Sequence, residues 1–342
     1  MCKERKIAID TMGGDLGPEE AVKGVANSIQ NGVRFKLYGD SRVLHQLVDV
    51  YIERKESVEI VHADNFVEAG SSILNSLKKA KSSSMGMAVS AVKNGEVDLA
   101  ISAGNTGILM SLSKIILNTM SGIDRPALAT AVPGKNGRSI VLDLGANAEC
   151  SVRNLVEFAV MGEALARSVF NKENPSISIL NIGSESGKGS HLIKGTAAII
   201  SNMFDSYVGY IEADKIINGD VDVVVADGFS GNIALKAMEG AARFVLNEFK
   251  NMFRAGITSK IAAALLMKKL KNIAQQYNPQ KHNGAILLGL NGLVVKAHGN
   301  SNSVGFEAAI KFAIDVLSDN IFERIRRHLE AKQTTLEQTD SF

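Results

Sequence analysis

The sequence predicts an α/β protein with a mostly parallel sheet, and two observations carry that prediction. Apolar runs of strand length alternate with longer helix-like segments along almost the whole chain. Four of those runs end in turns of Gly, Asn, Asp or Ser that could open a helix. Lys6–Asp10 runs into Met12, Gly13, Gly14 and Asp15, and Asp98–Ala103 into Gly104, Asn105, Thr106 and Gly107. Ser139–Asp143 runs into Gly145, Ala146 and Asn147, and Val221–Ala226 into Asp227, Gly228, Phe229, Ser230, Gly231 and Asn232. In open α/β sheets, ligands bind outside the carboxyl ends of the strands. Glycines there let backbone approach a ligand, and helix-start N–H groups favour anions. The four loops together suggest a polar cleft for a phosphate-like group.

Taken in order, strands are expected near residues 5–10, 33–38, 58–62, 97–102, 127–132, 139–143, 177–182, 221–226 and 285–290. Helices are expected over Pro18–Gln30, Ser71–Lys93, Thr106–Asn118, Leu155–Val169 and His191–Met203. Pro18 followed by Glu19 and Glu20 is a good helix start, because proline suits the first turn and carboxylates its positive end. Nothing in the sequence divides the chain sharply. Residues 1–331 read as one α/β domain with a helical excursion at about 250–282, and the Thr- and Gln-rich tail 332–342 is expected to fray.

Composition narrows the function classes. The 342 residues are 45% hydrophobic and 22% charged, ordinary for a globular protein. A net charge of +2, no tryptophan and 5% aromatic residues argue against nucleic acid as a partner. Cys2 and Cys150 are too few for a disulfide framework or a Cys-rich metal site, and no motif asks for a metal or cofactor. The charged start, Met1–Lys6, is unlike a signal peptide, and no apolar run is long enough to span a bilayer, so a cytoplasmic location is expected.

Several motifs carry chemistry. Gly183–Ser190 departs from a Walker A loop by one residue, with Gly189 after Lys188. Between a strand end and the helix from His191, Lys188 could hold an anion at a helix start or simply be solvated. Asp10, Asp143 and Asp227 end strands, where an aspartate serves as base, loop anchor or helix cap. Asn105, Thr106, Asn147 and Asn232 suit orienting an oxyanion or holding loop backbone. His298, within Lys296–Asn300, could donate to phosphate or be a hydrogen-bonded core histidine. Cys150 reads as a packing residue, and there is no nucleophilic triad. In the excursion, Leu266, Leu270, Ile273 and Tyr277 follow i, i+4, i+7, i+11 spacing, with Lys268, Lys269, Lys271 and Gln275 opposite or at the margins. Such a helix suits an anionic lipid surface, an acidic partner, the core or a dimer seam.

In this order the motifs resemble those of the PlsX-type phosphate acyltransferases over nearly the full chain. The resemblance rests on Asp10–Asp15, Ser102–Gly107, Gly122–Pro126, Asp143–Asn147, Asn181–Gly183 with Lys188 and Gly189, Asp227–Asn232, Glu239 and Gly240, Leu287–Gly289, and His298 with Gly299. Thr11, Ile108 and Ser230 depart from the residues usual in that family. The resemblance implies a homodimer with a three-layer α/β/α fold of the isocitrate/isopropylmalate dehydrogenase-like group, without redox chemistry. It also implies attack of inorganic phosphate on a long-chain acyl-acyl carrier protein, giving acyl phosphate for a glycerol-3-phosphate acyltransferase in bacterial phospholipid synthesis.

On that reading Lys188 contacts the phosphate or oxyanion, and the loops Gly104–Gly107 and Gly228–Asn232 supply donors. Asp10, Asp15, Asp227 and His298 line or order the site, together with Gly13, Gly14 and Asn147. Residues 257–277 face the carrier protein, the inner face of the cell membrane as a peripheral contact, or both. Two rivals remain: a nicotinamide-dependent oxidative decarboxylase, for which neither a nucleotide site nor a metal-binding carboxylate cluster is evident, and a scaffold that recruits the carrier without turnover.

Overall fold

The computed structural model describes residues 4–30, 32–67, 80–254, 256, 266, 279–318 and 321–337. The strands are β1 (Arg5–Asp10), β2 (Val33–Gly39), β3 (Val58–His62), β4 (Leu99–Ser102), β5 (Ala127–Pro133), β6 (Arg138–Leu142), β7 (Ile177–Leu180), β8 (Tyr207–Ile211), β9 (Val223–Val225), β10 (Ala285–Leu288) and β11 (Leu293–Lys296). They form an 11-stranded sheet in the order β3-β2-β1-β4-β11-β10-β5-β6-β9-β7-β8. Pairing is parallel except at β11–β10, β10–β5 and β5–β6. Those reversals make the block β3-β2-β1-β4-β11 run opposite to the block β6-β9-β7-β8. The loops after β1 and β4 therefore leave one edge of the sheet, and those after β6 and β9 leave the other. The four loops thus fall into two clusters that flank the antiparallel centre.

Strand alternation builds the layers. Ile7 and Ile9, Leu99 and Ile101, Val223 and Val225 face one core, while Ala8, Ala100 and Val224 face the other. The first core is covered by α1 (Pro18–Ser28), α2 (Ser41–Tyr51), α5 (Val152–Phe170), α6 (His191–Met203), α8 (Ser303–Ser318) and α9 (Ile321–Glu337). Across the sheet lie α3 (Ser84–Lys93), α4 (Thr106–Leu117) and α7 (Gly228–Arg254). The result is the three-layer α/β/α arrangement.

Local chemistry sets the boundaries. The Asn105 side chain caps α4 by accepting from Ile108 N, and Asn118 ends that helix at φ 58. Ser151 and Asn154 form a reciprocal capping box, so α5 begins at Val152, ahead of the apolar periodicity that starts at Leu155. Strands β8 and β11 are additions to the sequence reading. β8 is an edge strand containing Gly209 at φ 95, and its pairing with β7 shifts register. β11 is a four-residue strand buried between β4 and β10. At the other end of the chain, helix α9 runs through Glu337, and residues 338–342 of the expected frayed tail lie outside the described residues. The Lys332 ammonium donates to Met203 O at 3.0 Å and lies 3.7 Å from the Phe204 ring centre. Part of the expected helix Ser71–Lys93 and most of the excursion lie outside the described residues. Among the described residues no helix is long and apolar enough to cross a membrane.

Candidate active site

The loops after β1, β4 and β11 meet around Asp10. This carboxyl is fully buried, and its oxygens accept from Ser84 Oγ at 2.7 Å, Ser102 Oγ at 2.6 Å and Met12 N at 3.3 Å. Burial pushes its pKa above the ordinary range despite the two hydroxyl donors. Ser102 Oγ in turn accepts from Gly104 N, so Asp10 orders both glycine loops. A Cβ at Gly13 would stand 2.5 Å from Asp10 Oδ2 and 2.8 Å from Gly104 N, so this approach admits only glycine. Asp15 N donates to Gly299 O at 2.8 Å, tying the first loop to the one after β11. Gly14 packs against Ala103 and Gly299.

Lys296 ends β11 and is 8% exposed. Its ammonium donates to Ala103 O at 3.2 Å and to Ala297 O, and among the described residues it pairs with no carboxylate. Burial pulls its pKa down to about 8, against the opposing pull of Asp15 and Asp10. Two residues on, the backbone N–H of His298 donates to Asn283 Oδ1 at 2.9 Å. His298 Nε2 lies 2.8 Å from Glu239 Oε1, and Lys236 Nζ donates to Glu239 Oε2 at 3.0 Å. Burial disfavours the Glu239 carboxylate, but the hydrogen bonds and charges of His298 and Lys236 outweigh it and hold its pKa at about 2.

The second loop cluster is held by Asp143. It is fully buried and accepts from Leu128 N at 2.9 Å, Ala146 N at 3.1 Å, Asn147 N at 2.7 Å and Asn147 Nδ2 at 2.9 Å. Asn147 also donates to Pro126 O and receives Gly228 N on its own carbonyl. Asp227 Oδ1 accepts from Ser230 N and so caps α7. A Cβ at Gly231 would meet Asp143 O at 2.0 Å, so the helix start is wedged against the β6 loop. Cys150 packs beside this cluster with its thiol pushed up to about 11 by burial, which suits a packing role.

Helix α7 bridges the clusters and roofs a pocket of ≈ 310 Å³ that runs along β5. Leu128, Val132, Leu144, Ile217, Leu235 and Met238 give it apolar walls, while Lys296, His298, Lys236 and Glu239 form its polar end. Thr106 and Asn232 reach it from the two glycine loops. A second, more polar pocket of ≈ 400 Å³ shares Lys236, Glu239, Asn283, His298 and Gly299 with the first and also includes Asp15.

The structure therefore gathers His298, Asp15, Thr106 and Asn232 around two joined pockets. Asp10, Gly13, Gly14, Gly104, Asn147, Asp227, Gly228 and Gly231 lie in the scaffold of their loops, Asn105 caps α4, and Gly107 lies in its first turn. Lys188 stands apart. It is exposed in the loop after β7, its backbone N–H closes a turn onto Glu185 O, and it lines neither pocket. Sequence reasoning gave Lys296, Lys236 and Glu239 no site role, although Glu239 stands among the motifs that carry the family resemblance. The nearest signal was Lys296 inside the His298 motif, directly after an apolar run. Leu266 is exposed, whereas Lys268, Lys269, Leu270 and Lys271 lie outside the described residues. Among the described residues no group of three His, Cys, Asp or Glu side chains could hold a metal ion.

The family model described as "Fatty acid synthesis protein" matches residues 5–324. A phosphate acyltransferase from Erythrobacter litoralis is 44% identical over 330 residues, covering 95% of this chain and 93% of that protein. One from Pelagibacter ubique is 38% identical over 334 residues, covering 96% of this chain and 100% of that protein. Among solved structures, a phosphotransacetylase from Streptococcus pyogenes matches with TM-score 0.60 and 18% identity, over 93% of this chain and 95% of that one. A branched-chain phosphotransacylase from Enterococcus faecalis V583 matches with TM-score 0.59 and 13% identity, over 92% of this chain and 100% of that one. The last two share the fold.

Proposed function

Because the chain belongs to the phosphate acyltransferase family of fatty acid synthesis proteins, and is thus an acyltransferase acting with phosphate, we propose that its acyl donor is a long-chain acyl-acyl carrier protein and its acceptor inorganic phosphate. The observation that carries this reading is the buried ammonium of Lys296, paired with no carboxylate among the described residues, at the polar end of an apolar pocket. An uncompensated buried charge is costly, and an anion formed there offsets that cost.

The acyl chain lies between β5 and α7, with its thioester carbonyl beside Lys296 and His298. A phosphate oxygen attacks the carbonyl carbon, the C–O bond forms, and the C–S bond breaks as the tetrahedral intermediate collapses. The proton of hydrogen phosphate ends on the carrier sulfur, giving acyl phosphate and free thiol. Phosphate is itself a nucleophile, so no covalent enzyme intermediate is needed. The chain's task is to position the two reactants and stabilise the developing oxyanion.

The product is a lipid-like mixed anhydride that a glycerol-3-phosphate acyltransferase would consume in phospholipid synthesis. A cytoplasmic enzyme touching the inner face of the cell membrane through residues 257–277 fits that transfer. A homodimer seam fits the exposed apolar side chains of α7, which include Phe229, Ile233, Phe244, Val245 and Phe249. The reaction is tested by carrier-thiol release from palmitoyl-acyl carrier protein with hydroxylamine trapping. Release that requires phosphate and yields the hydroxamate is expected. Carrier binding without release would instead mark a scaffold.

A further inference from the structure

Helix α7 shows two neighbouring stripes to the interior. Leu235, Met238 and Ala242 line the apolar pocket, while Lys236, Glu239, Arg243 and Asn247 line the polar one. Both stripes follow i, i+3, i+7 spacing and differ by one residue in phase, so one helix separates two chemically different compartments. The wall between them is the Lys236–Glu239–His298 cluster, whose members line both pockets.

Charge in the polar compartment is unevenly satisfied. The two oxygens of Glu239 are engaged by His298 and Lys236, which fixes those groups side by side. Arg243, one turn further along α7 at the mouth, has no carboxylate partner among the described residues. Asp15 is the other carboxylate in this compartment. Lys236 and Arg243 equal these two acids in number, and the Lys296 ammonium in the adjoining pocket, just behind them, tips the balance to positive. A guanidinium at a pocket mouth with further cations behind it is suited to a phosphoryl anion.

The geometry points to the polar pocket as a separate binding compartment for a phosphoryl anion, with Arg243 at its mouth and Lys236 and His298 at its inner end. It deepens the proposed acyl transfer and rests on that reading. The nucleophile enters from one side of the α7 wall, and the acyl chain occupies the other. The two substrates meet where the pockets join, and neither must leave for the other to bind. Two sources share the ligand chemistry: free inorganic phosphate and the phosphodiester of a carrier's pantetheine arm.

The test is steady-state kinetics of the full-length protein and its Arg243→Gln and Arg243→Lys variants. Inorganic phosphate is varied against palmitoyl-acyl carrier protein and against palmitoyl-pantetheine, which lacks the phosphodiester. Loss of a charge-assisted contact is expected to raise the KM for phosphate about tenfold in Arg243→Gln, with kcat within about twofold and partial recovery in Arg243→Lys. That pattern with both donors assigns the compartment to inorganic phosphate. A raised KM for the carrier-bound donor alone, with palmitoyl-pantetheine unaffected, assigns it to the arm's phosphodiester. Unchanged KM values for all three substrates overturn the compartment while leaving the reaction standing. A wild-type protein that forms no acyl phosphate removes the reaction itself, so the two failures are distinguishable.

Discussion

The loop after β7 and the loop after β11 each place a lysine near glycines at the carboxyl end of a parallel strand, and their surroundings differ completely. Strand β7 lies next to the edge strand β8, and Lys188 is exposed to solvent. Strand β11 lies between β4 and β10 near the middle of the sheet, packed against α4 and α8, and Lys296 is 8% exposed. Depth in the sheet, more than the local glycine pattern, separates a solvated cation from a buried one.

The strongest way to break that contrast is Lys296→Met, which keeps the length and apolar body of the side chain and removes its charge. Losing a preorganised oxyanion donor should lower kcat by about 10²–10³. The same change should leave the fold as stable or stabilise it by about 1 kcal/mol at pH 7, because an unpaired buried ammonium is lost. Paired rate and thermal-melt measurements check both signs. A normal rate in Lys296→Met would remove this residue from the chemistry. In the wild type the folded pKa of about 8 lies below the ordinary 10.5. Activity that needs the ammonium should therefore fall as pH rises through about 8. Across the interval from 8 to 10.5 the unfolded chain binds more protons, so wild-type stability should gain on that of the Met variant.

Glu239→Gln sharpens the contrast by loosening the wall between the pockets without touching Lys296. The carboxylate stays near a pKa of 2 because His298 and Lys236 stabilise it. Its stabilising contribution should be complete above about pH 4.5 and vanish as pH falls toward 2. Removal should cost roughly 2 kcal/mol at neutral pH and lower kcat about tenfold. Chemical denaturation at pH 7 and pH 3 measures the first effect, and a difference that does not shrink in acid would contradict the assignment. Next in size is Ala242→Phe, which fills the apolar pocket from α7. Displacing methylenes at about 0.8 kcal/mol each should lower kcat/KM for palmitoyl relative to decanoyl donors about tenfold. An unchanged chain-length profile would place the acyl chain elsewhere.

These residues also mark how far the sequence could be read. The strand–helix alternation was legible because strand faces and helix stripes impose different periods, and most strands stand where the apolar runs place them. Asp10, Asp143 and their glycines were legible as loop elements because close backbone approach demands such residues locally. The antiparallel centre was not, since it turns on the pairing of β10 with β5, Ile286 opposite Ala129, which sets the hairpins β10–β11 and β5–β6 side by side and reverses the second block. Lys296 and Glu239 received no site role because what surrounds each is equally non-local. Lys296 sits between β4 and β10, and the His298 partner of Glu239 is 59 residues away. The Gly183–Ser190 loop drew notice because its motif is local, and a local motif carries no record of its position in the sheet.

Lys188→Ala is the smallest expected effect and the most direct comparison of the two loops. Its side chain faces solvent, its backbone N–H makes the turn to Glu185 O whichever residue is present, and no pocket-lining residue comes from residues 181–190. Truncating an exposed side chain of this kind moves stability by no more than about 0.5 kcal/mol. With phosphate and palmitoyl-acyl carrier protein both saturating, turnover should stay within about twofold of wild type. A kcat loss comparable to that of Lys296→Met would mean that the loop after β7 folds over the pocket during turnover and would move the anion contact to Lys188. A rise confined to the KM of the carrier-bound donor, absent with palmitoyl-pantetheine, would make Lys188 part of a docking surface for the acidic carrier. Each result reassigns a named lysine, so this one variant decides whether depth in the sheet or the glycine-lysine pattern locates the chemistry.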